Sequence, residues 1–409
     1  MQSRAFVILG ALASSDVDDD LLYQILVAFK TALMTSNEND TTAIVSMLRC
    51  IRKLVPGLPE NSRYLPHILW LAVALIQSSY VSLFAESARL LQTALEALEK
   101  QGAFEHEDVA SVLISARAPL EDISSQLDSV LGLSFQCSFS FSMATAIFKG
   151  IRHPPTRDAA GDALLALLRI SIRTSSTSLA SGQPIDPESL GYFLALLPLA
   201  TDNSKYRQLL EDAGMGGDWA TGIPALEDDD EEGVPKVPFS LLGVGDTTSA
   251  LLAISFIVAM INSAHTEREY SVLFLLLASA SETYPEMVAL TYVPISSTVV
   301  KWLIYVFFVS YEAVTDKINE TFANSHSPAI LEAVSIVFQT AVADQLWPSA
   351  ANGSSASIDP AEQQQSGNHV FALNKIGMPG LVNNHQFLPA NRSIPLIKWI
   401  HELVSRIIE

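Results

Sequence analysis

Cysteine and basic residues are both scarce in this chain of 409 residues. Only Cys50 and Cys137 occur, far apart and without CxxC spacing, so a disulfide framework and a thiolate zinc site are both excluded. Lys and Arg total 24 against 44 Asp and Glu, which gives a net charge of −20. A field of this sign repels phosphate backbones, and we therefore expect no nucleic acid partner.

Charged residues are few in total, 17% of the chain, compared with about 25% in an average soluble domain. The hydrophobic share is 49%, so much of the surface should contact other protein, as in a repeat stack or a part of a larger protein. The best apolar run, 250–261, is shorter than the ~18 to 20 residues that a bilayer requires, and we expect no transmembrane segment. A second run, 5–13, superficially fits a signal peptide, but we interpret it as the tail of a core helix.

Helical periodicity dominates the chain, with apolar residues recurring three and four positions apart. Helix starts near Asp18, Arg63 and Glu107 are 45 and 44 residues apart, with two helices in each step. That spacing is the period of HEAT and armadillo repeats, about 40 to 47 residues. The sequence therefore predicts an all-α fold, a HEAT/armadillo-like helical-repeat solenoid. The β-branched run 293–300 is the one place where a strand would be tolerated.

Two polar segments interrupt the helical pattern. Residues 214–245 contain the acidic run 227–232 among Pro and Gly, and residues 349–390 are rich in Ser, Asn, Gln, Gly and Pro. Neither has enough apolar content to offset the entropy lost on ordering. We therefore predict a first solenoid part over 1–213, an acidic loop over 214–245, a second solenoid part over 246–348, a polar disordered insertion over 349–390 and a C-terminal helix over 391–409.

Motifs that carry chemistry are missing from the sequence. The histidines form no metal-binding pair at helical spacing, and neither glycine-rich phosphate-binding pattern occurs. We therefore predict no catalytic, cofactor-binding or metal-ligating residue and no cofactor. One candidate contact remains, because Arg49, Arg52 and Lys53 lie three and four apart on the polar face of a helix and could bind a carboxylate or an anionic lipid headgroup. The alternative is that they form ion pairs with the acidic helix start at 18–20.

Five short segments resemble a known family. They are Arg4–Gly10 (RAFVILG), Asp16–Leu26 (DVDDDLLYQIL), Ser46–Lys53 (SMLRCIRK), Ser62–Pro66 (SRYLP) and Trp70–Leu75 (WLAVAL). Together they resemble the C-terminal helical-repeat region of neurofibromin and its fungal Ira-type relatives, which are large Ras GTPase-activating proteins. The resemblance covers about the first hundred residues, and it implies that Met1 begins inside a longer protein.

The resemblance implies a role without catalysis. The family's GTPase-activating domain inserts an arginine finger and lies N-terminal to this region, so Ras would be engaged outside this segment. The chain would then be a scaffold and homodimerisation region of a cytoplasmic negative regulator of Ras signalling, brought to membranes through the parent protein. The alternative function is a solenoid recognition module whose groove docks a peptide, a protein or a membrane-associated partner.

Overall fold

The computed structural model describes residues 2–12, 17–35, 41–60, 62–77, 81–174, 187–202, 246–264 and 393–409, together with single positions between 244 and 381. Within these residues the chain is mostly helical and contains no strand, which confirms the all-α expectation for this part of the chain. The run 293–300 lies outside the described residues, as do nearly all of 214–245 and 349–390.

The helices of the described ranges are numbered here in chain order. They are α1 (Gln2–Leu12), α2 (Asp19–Thr35), α3 (Thr42–Leu54), α4 (Tyr64–Ile76), α5 (Val81–Lys100), α6 (Val109–Arg117), α7 (Glu121–Leu131), α8 (Phe139–Ile151), α9 (Arg157–Thr174), α10 (Pro187–Asp202), α11 (Thr247–Ser263) and α12 (Ser393–Ile408). Short 3-10 turns follow α3, α6 and α8 at Val55–Gly57, Ala118–Leu120 and Pro154–Thr156.

Acidic side chains begin several of these helices, as the sequence indicates. The carboxylate of Asp18 accepts a hydrogen bond from the backbone N–H of Leu21 at 2.8 Å. Asp246 likewise accepts from the backbone N–H groups of Thr248 and Ser249, at 2.8 and 2.9 Å. These bonds satisfy donors that have no partner inside the first turn, so the position of each helix start is encoded locally.

The chain divides into two compact units. The first contains residues 1–177, 191–196 and 384–409, and the second contains 178–190 and 197–383. The first unit therefore holds α1 to α9 and also the C-terminal helix α12, whereas α11 belongs to the second.

Packing in the first unit follows a regular order. Helices that are consecutive in the chain pack as pairs, namely α2 with α3, α4 with α5 and α8 with α9. The second helix of each pair also packs against the second helix of the following pair, α3 against α5 and α5 against α9. Helix α1 packs against α3 at the start of this row. This order places α5 between α3 and α9.

Helix α4 is buried on nearly every side. Eleven of its 13 residues are buried, because a helix that is apolar on nearly every side must be covered by several neighbours. Its Trp70 indole Nε1 donates a hydrogen bond to the backbone carbonyl of Leu113 on α6 at 2.9 Å. The same ring meets Phe135 edge to face, with ring centroids 5.3 Å apart. These contacts join α4 to the α6–α8 region.

Candidate functional site

The predicted cluster Arg49, Arg52 and Lys53 lies on the solvent side of α3. The opposite side of the helix is buried, with Ile44, Leu48 and Ile51 in the core, so the amphipathic pattern read from the sequence is confirmed. Arg49 and Lys53 are exposed and Arg52 is half-buried. Since Thr42–Leu54 is a continuous helix, the three basic side chains occupy one face.

Glu86 on α5 is the carboxylate that these arginines contact. Arg49 Nε lies 3.0 Å from Glu86 Oε1, and Arg52 Nε lies 3.8 Å from Oε2. Arg89, one turn further along α5, also contacts Oε1 through a guanidinium nitrogen at 2.8 Å. The Glu86 side chain is only 4% exposed, so one buried carboxylate holds three arginines.

For Arg49 and Arg52, this pairing corrects the alternative that the basic residues form ion pairs with the acidic helix start at 18–20. Asp18 caps α2, and Asp19 Oδ1 accepts a hydrogen bond from the Ser62 hydroxyl at 2.6 Å. The reason is packing order, because α3 lies against α5 and therefore presents its arginines to a carboxylate of that helix.

The cluster carries more positive than negative charge. Three arginines face the single carboxylate of Glu86, and Lys53 adds a further positive charge on the same face of α3. The arginine side chains keep partial exposure, 52% for Arg49 and 33% for Arg52. The arrangement can therefore attract an anionic group from solvent.

Glu86 and Arg89 were not identified as functional from the sequence. A signal was present, because Glu86 lies three residues after Leu83 and four before Leu90, both buried. A carboxylate in the apolar stripe of a helix indicates a buried ion pair. Recognising that signal would have predicted a basic partner for α5, although not which helix supplies it.

A second ion-pair cluster joins the other side of α5 to α9. Glu99 accepts from Arg169 at 3.1 Å and from Arg173 at 2.6 Å. The two arginines are four residues apart on α9 and so face the same neighbour. Helix α5 thus presents one carboxylate to α3 and another to α9, which sets its orientation between the two helices.

A buried arginine, Arg117, packs against the ring of Trp70. The Arg117 guanidinium is 3% exposed, lies 4.6 Å from the centre of the Trp70 ring and hydrogen-bonds the Asp128 carboxylate. Burial raises the pKa of Asp128 to about 6, and the neighbouring Arg117 only partly opposes this. The residues are held in a closed, packed setting, and we interpret the cluster as structural.

The thiol of Cys50 is buried beneath α1. A Cβ on Gly10 would lie 3.2 Å from the Cα of Cys50, so the two helices approach closely there. Burial raises the pKa of Cys50 to about 11, which leaves almost no thiolate at neutral pH. Among the described residues no group of three or more His, Cys, Asp or Glu side chains could hold a metal ion.

No family model matches the chain. In the ranges that the structure describes, no helix is long and apolar enough to cross a membrane.

Proposed function

We propose that this chain is a non-catalytic helical scaffold and homodimerisation segment of a neurofibromin-like Ras GTPase-activating protein, a negative regulator of Ras signalling. The observation that carries the proposal is the position, in the structure, of the five segments that resemble the family. They form α1, the start of α2, the basic end of α3, and most of α4. A cytoplasmic location and recruitment of Ras by a domain outside this segment are parts of the same proposal.

Several residues in those segments are committed to packing. Asp19 joins the starts of α2 and α4 through Ser62, Arg49 joins α3 to α5, and Trp70 joins α4 to α6. Side chains used in this way position helices and are not free for chemistry. This supports a scaffold and gives no support to a catalytic segment.

The finer fold that we propose is a HEAT/armadillo-like solenoid. Such folds stack helix pairs so that each pair contacts the next. The succession α3, α5, α9, each packed with the helix that precedes it, supports this arrangement for the first unit.

The dimer is tested by the mass of the chain in solution across a dilution series from high to low micromolar concentration. We expect a monomer–dimer equilibrium whose midpoint moves with protein concentration. A mass that stays at 44.3 kDa throughout the series would contradict the dimerisation part of the proposal.

The absence of catalysis is tested by a Ras GTP hydrolysis assay with stoichiometric chain. We expect the intrinsic rate, because an arginine finger must reach the transferring phosphoryl group and the arginines of the candidate cluster are paired with Glu86. Stimulation that disappears on mutating a single arginine of this chain would refute the proposal.

A second candidate function is docking of an acidic partner on the α3–α5 arginine cluster, and the excess of positive charge there favours it. Its test is binding of an acidic peptide to the wild-type chain and to Lys53→Glu. Loss of binding in the variant at low salt, with unchanged thermal stability, would support docking. Equal binding by both chains would exclude this surface.

A further inference from the structure

Helix α12 packs on elements that precede it by hundreds of residues. It contacts α2, α4, α7 and the 3-10 turn at Ala118–Leu120, all within the first unit. The stretch 264–392 separates it in sequence from the end of α11. The last helix of the chain therefore covers a surface formed near its beginning, which we call the α2–α4–α7 groove.

Over residues 398–408 of α12, whose side chains the structure describes, the buried residues form one stripe. They are Ile400, Leu403, Val404 and Ile407, while Glu402 and Arg406 are exposed on the other side. The spacing i, i+3, i+4, i+7 is the pattern of an amphipathic helix that lies in an apolar groove. It contrasts with α4, which is buried nearly all round.

The side chains described for α12, those of residues 398–408, make their polar contacts within the helix and its end. Ser405 donates to the carbonyl of His401, and Arg406 pairs with Glu409. Other helix contacts of the first unit carry polar bonds between elements, such as Asp19 with Ser62 and Glu99 with Arg173. Among the described residues, α12 is held to the groove by its apolar stripe.

We propose that the α2–α4–α7 groove can release its own α12 and bind α12 of a second copy of this chain in its place. The helix fits the groove, because α12 of the same chain already lies there. Exchange of an identical element between protomers preserves every contact and is a low-cost route to a dimer. The inference rests on the proposed dimerisation role and names the surface that would perform it.

The test uses the full chain and a fluorescent peptide of residues 391–409, with binding followed by anisotropy. Val404→Asp in the chain places a charge in the apolar stripe and should release its own α12. We expect the peptide to bind this variant at least ten-fold more tightly than it binds wild type, where the attached helix competes at high effective concentration. The exposed Glu402→Gln is the matched control and should behave as wild type.

A peptide carrying Val404→Asp should bind neither chain. Failure of the unmodified peptide to bind the folded Val404→Asp chain would overturn the inference. The proposed dimerisation could survive that result, because the dilution series reports self-association through any surface.

Hydrogen exchange of the wild-type chain gives a test that needs no variant. If α12 is releasable, its amides should exchange at least ten-fold faster than those of α4, because α12 can open without unfolding of the whole unit. Equal protection of α12 and α4 would show that the helix leaves only on global unfolding, and would also overturn the inference.

Discussion

A methyl group on Gly150 would lie 2.1 Å from Cε1 of Phe84. Helix α8 therefore approaches α5 as closely as it does because residue 150 has no side chain. The methyl of Ala160 on α9 would be 3.1 Å away, so the glycine sits where α5, α8 and α9 meet. Its role is steric, and a substitution would act through packing.

Gly150→Ala is expected to destabilise the first unit by about 1 to 3 kcal/mol, because overpacking costs more than the gain in helix propensity. Urea denaturation measures the loss. The double variant with Phe84→Leu should lose less than the sum of the two single variants, because a smaller side chain leaves room for the methyl. Strict additivity would show that the two residues do not compete for space.

Leu71→Ala on α4 should cost roughly 2 to 5 kcal/mol, since the side chain is fully buried and its removal leaves a cavity. The control is Met34→Ala, because Met34 is 71% exposed and its truncation should change the free energy of unfolding by less than about 0.5 kcal/mol. Thermal denaturation of both variants decides. Similar losses of stability in the two variants would contradict the buried position of Leu71.

The parts of this fold that depend on local pattern could be predicted from the sequence. The apolar surface of α4, the acidic start of α2 and the amphipathic face of α3 all follow from which residues stand three and four apart. In each case the signal and the structure involve the same short stretch of chain.

Pairings between distant helices could not be predicted in this way. The partner of Arg49 is Glu86 and not the nearby acidic residues, because the choice depends on which helix packs beside α3. The requirement for glycine at position 150 also comes from a distant residue, because the ring of Phe84, 66 positions earlier, leaves no room for a side chain there. The return of α12 to the first unit is likewise invisible in its own sequence, which shows only one apolar face.

Glu86→Gln should destabilise the chain by about 1 to 3 kcal/mol, because three arginines lose their shared counter-charge while the site stays buried. The partial exposure of the arginines lets them regain water, which keeps the loss below that of a fully buried pair. Glu96→Gln on the exposed side of α5 is the matched control and should cost less than about 0.5 kcal/mol. If both variants lose the same free energy of unfolding in denaturant titrations, the carboxylate of Glu86 does not stabilise the packing of α3 against α5.

Lys149 should make the stability of the chain depend on pH. Its side chain is buried in α8, with Nζ 5.9 Å from the centre of the Phe84 ring, and burial lowers its pKa from 10.5 to about 7. Between these two values the unfolded chain holds a proton that the folded chain has released. Stability from this residue is therefore fully present above pH 10.5 and is lost as the pH falls to about 7.

Lys149→Met keeps the length of the side chain and removes the charge. At pH 6 the variant should be more stable than wild type by about 1 to 4 kcal/mol, because it no longer holds a cation away from water. The difference should shrink as the pH rises toward 10.5, where the wild-type lysine is neutral in both states. Lys100→Met, at an exposed position in the last turn of α5, should leave the pH dependence unchanged. Denaturant titrations at pH 6, 8 and 10 measure the three chains, and a constant difference between Lys149→Met and wild type would show that Lys149 does not change its protonation in this range.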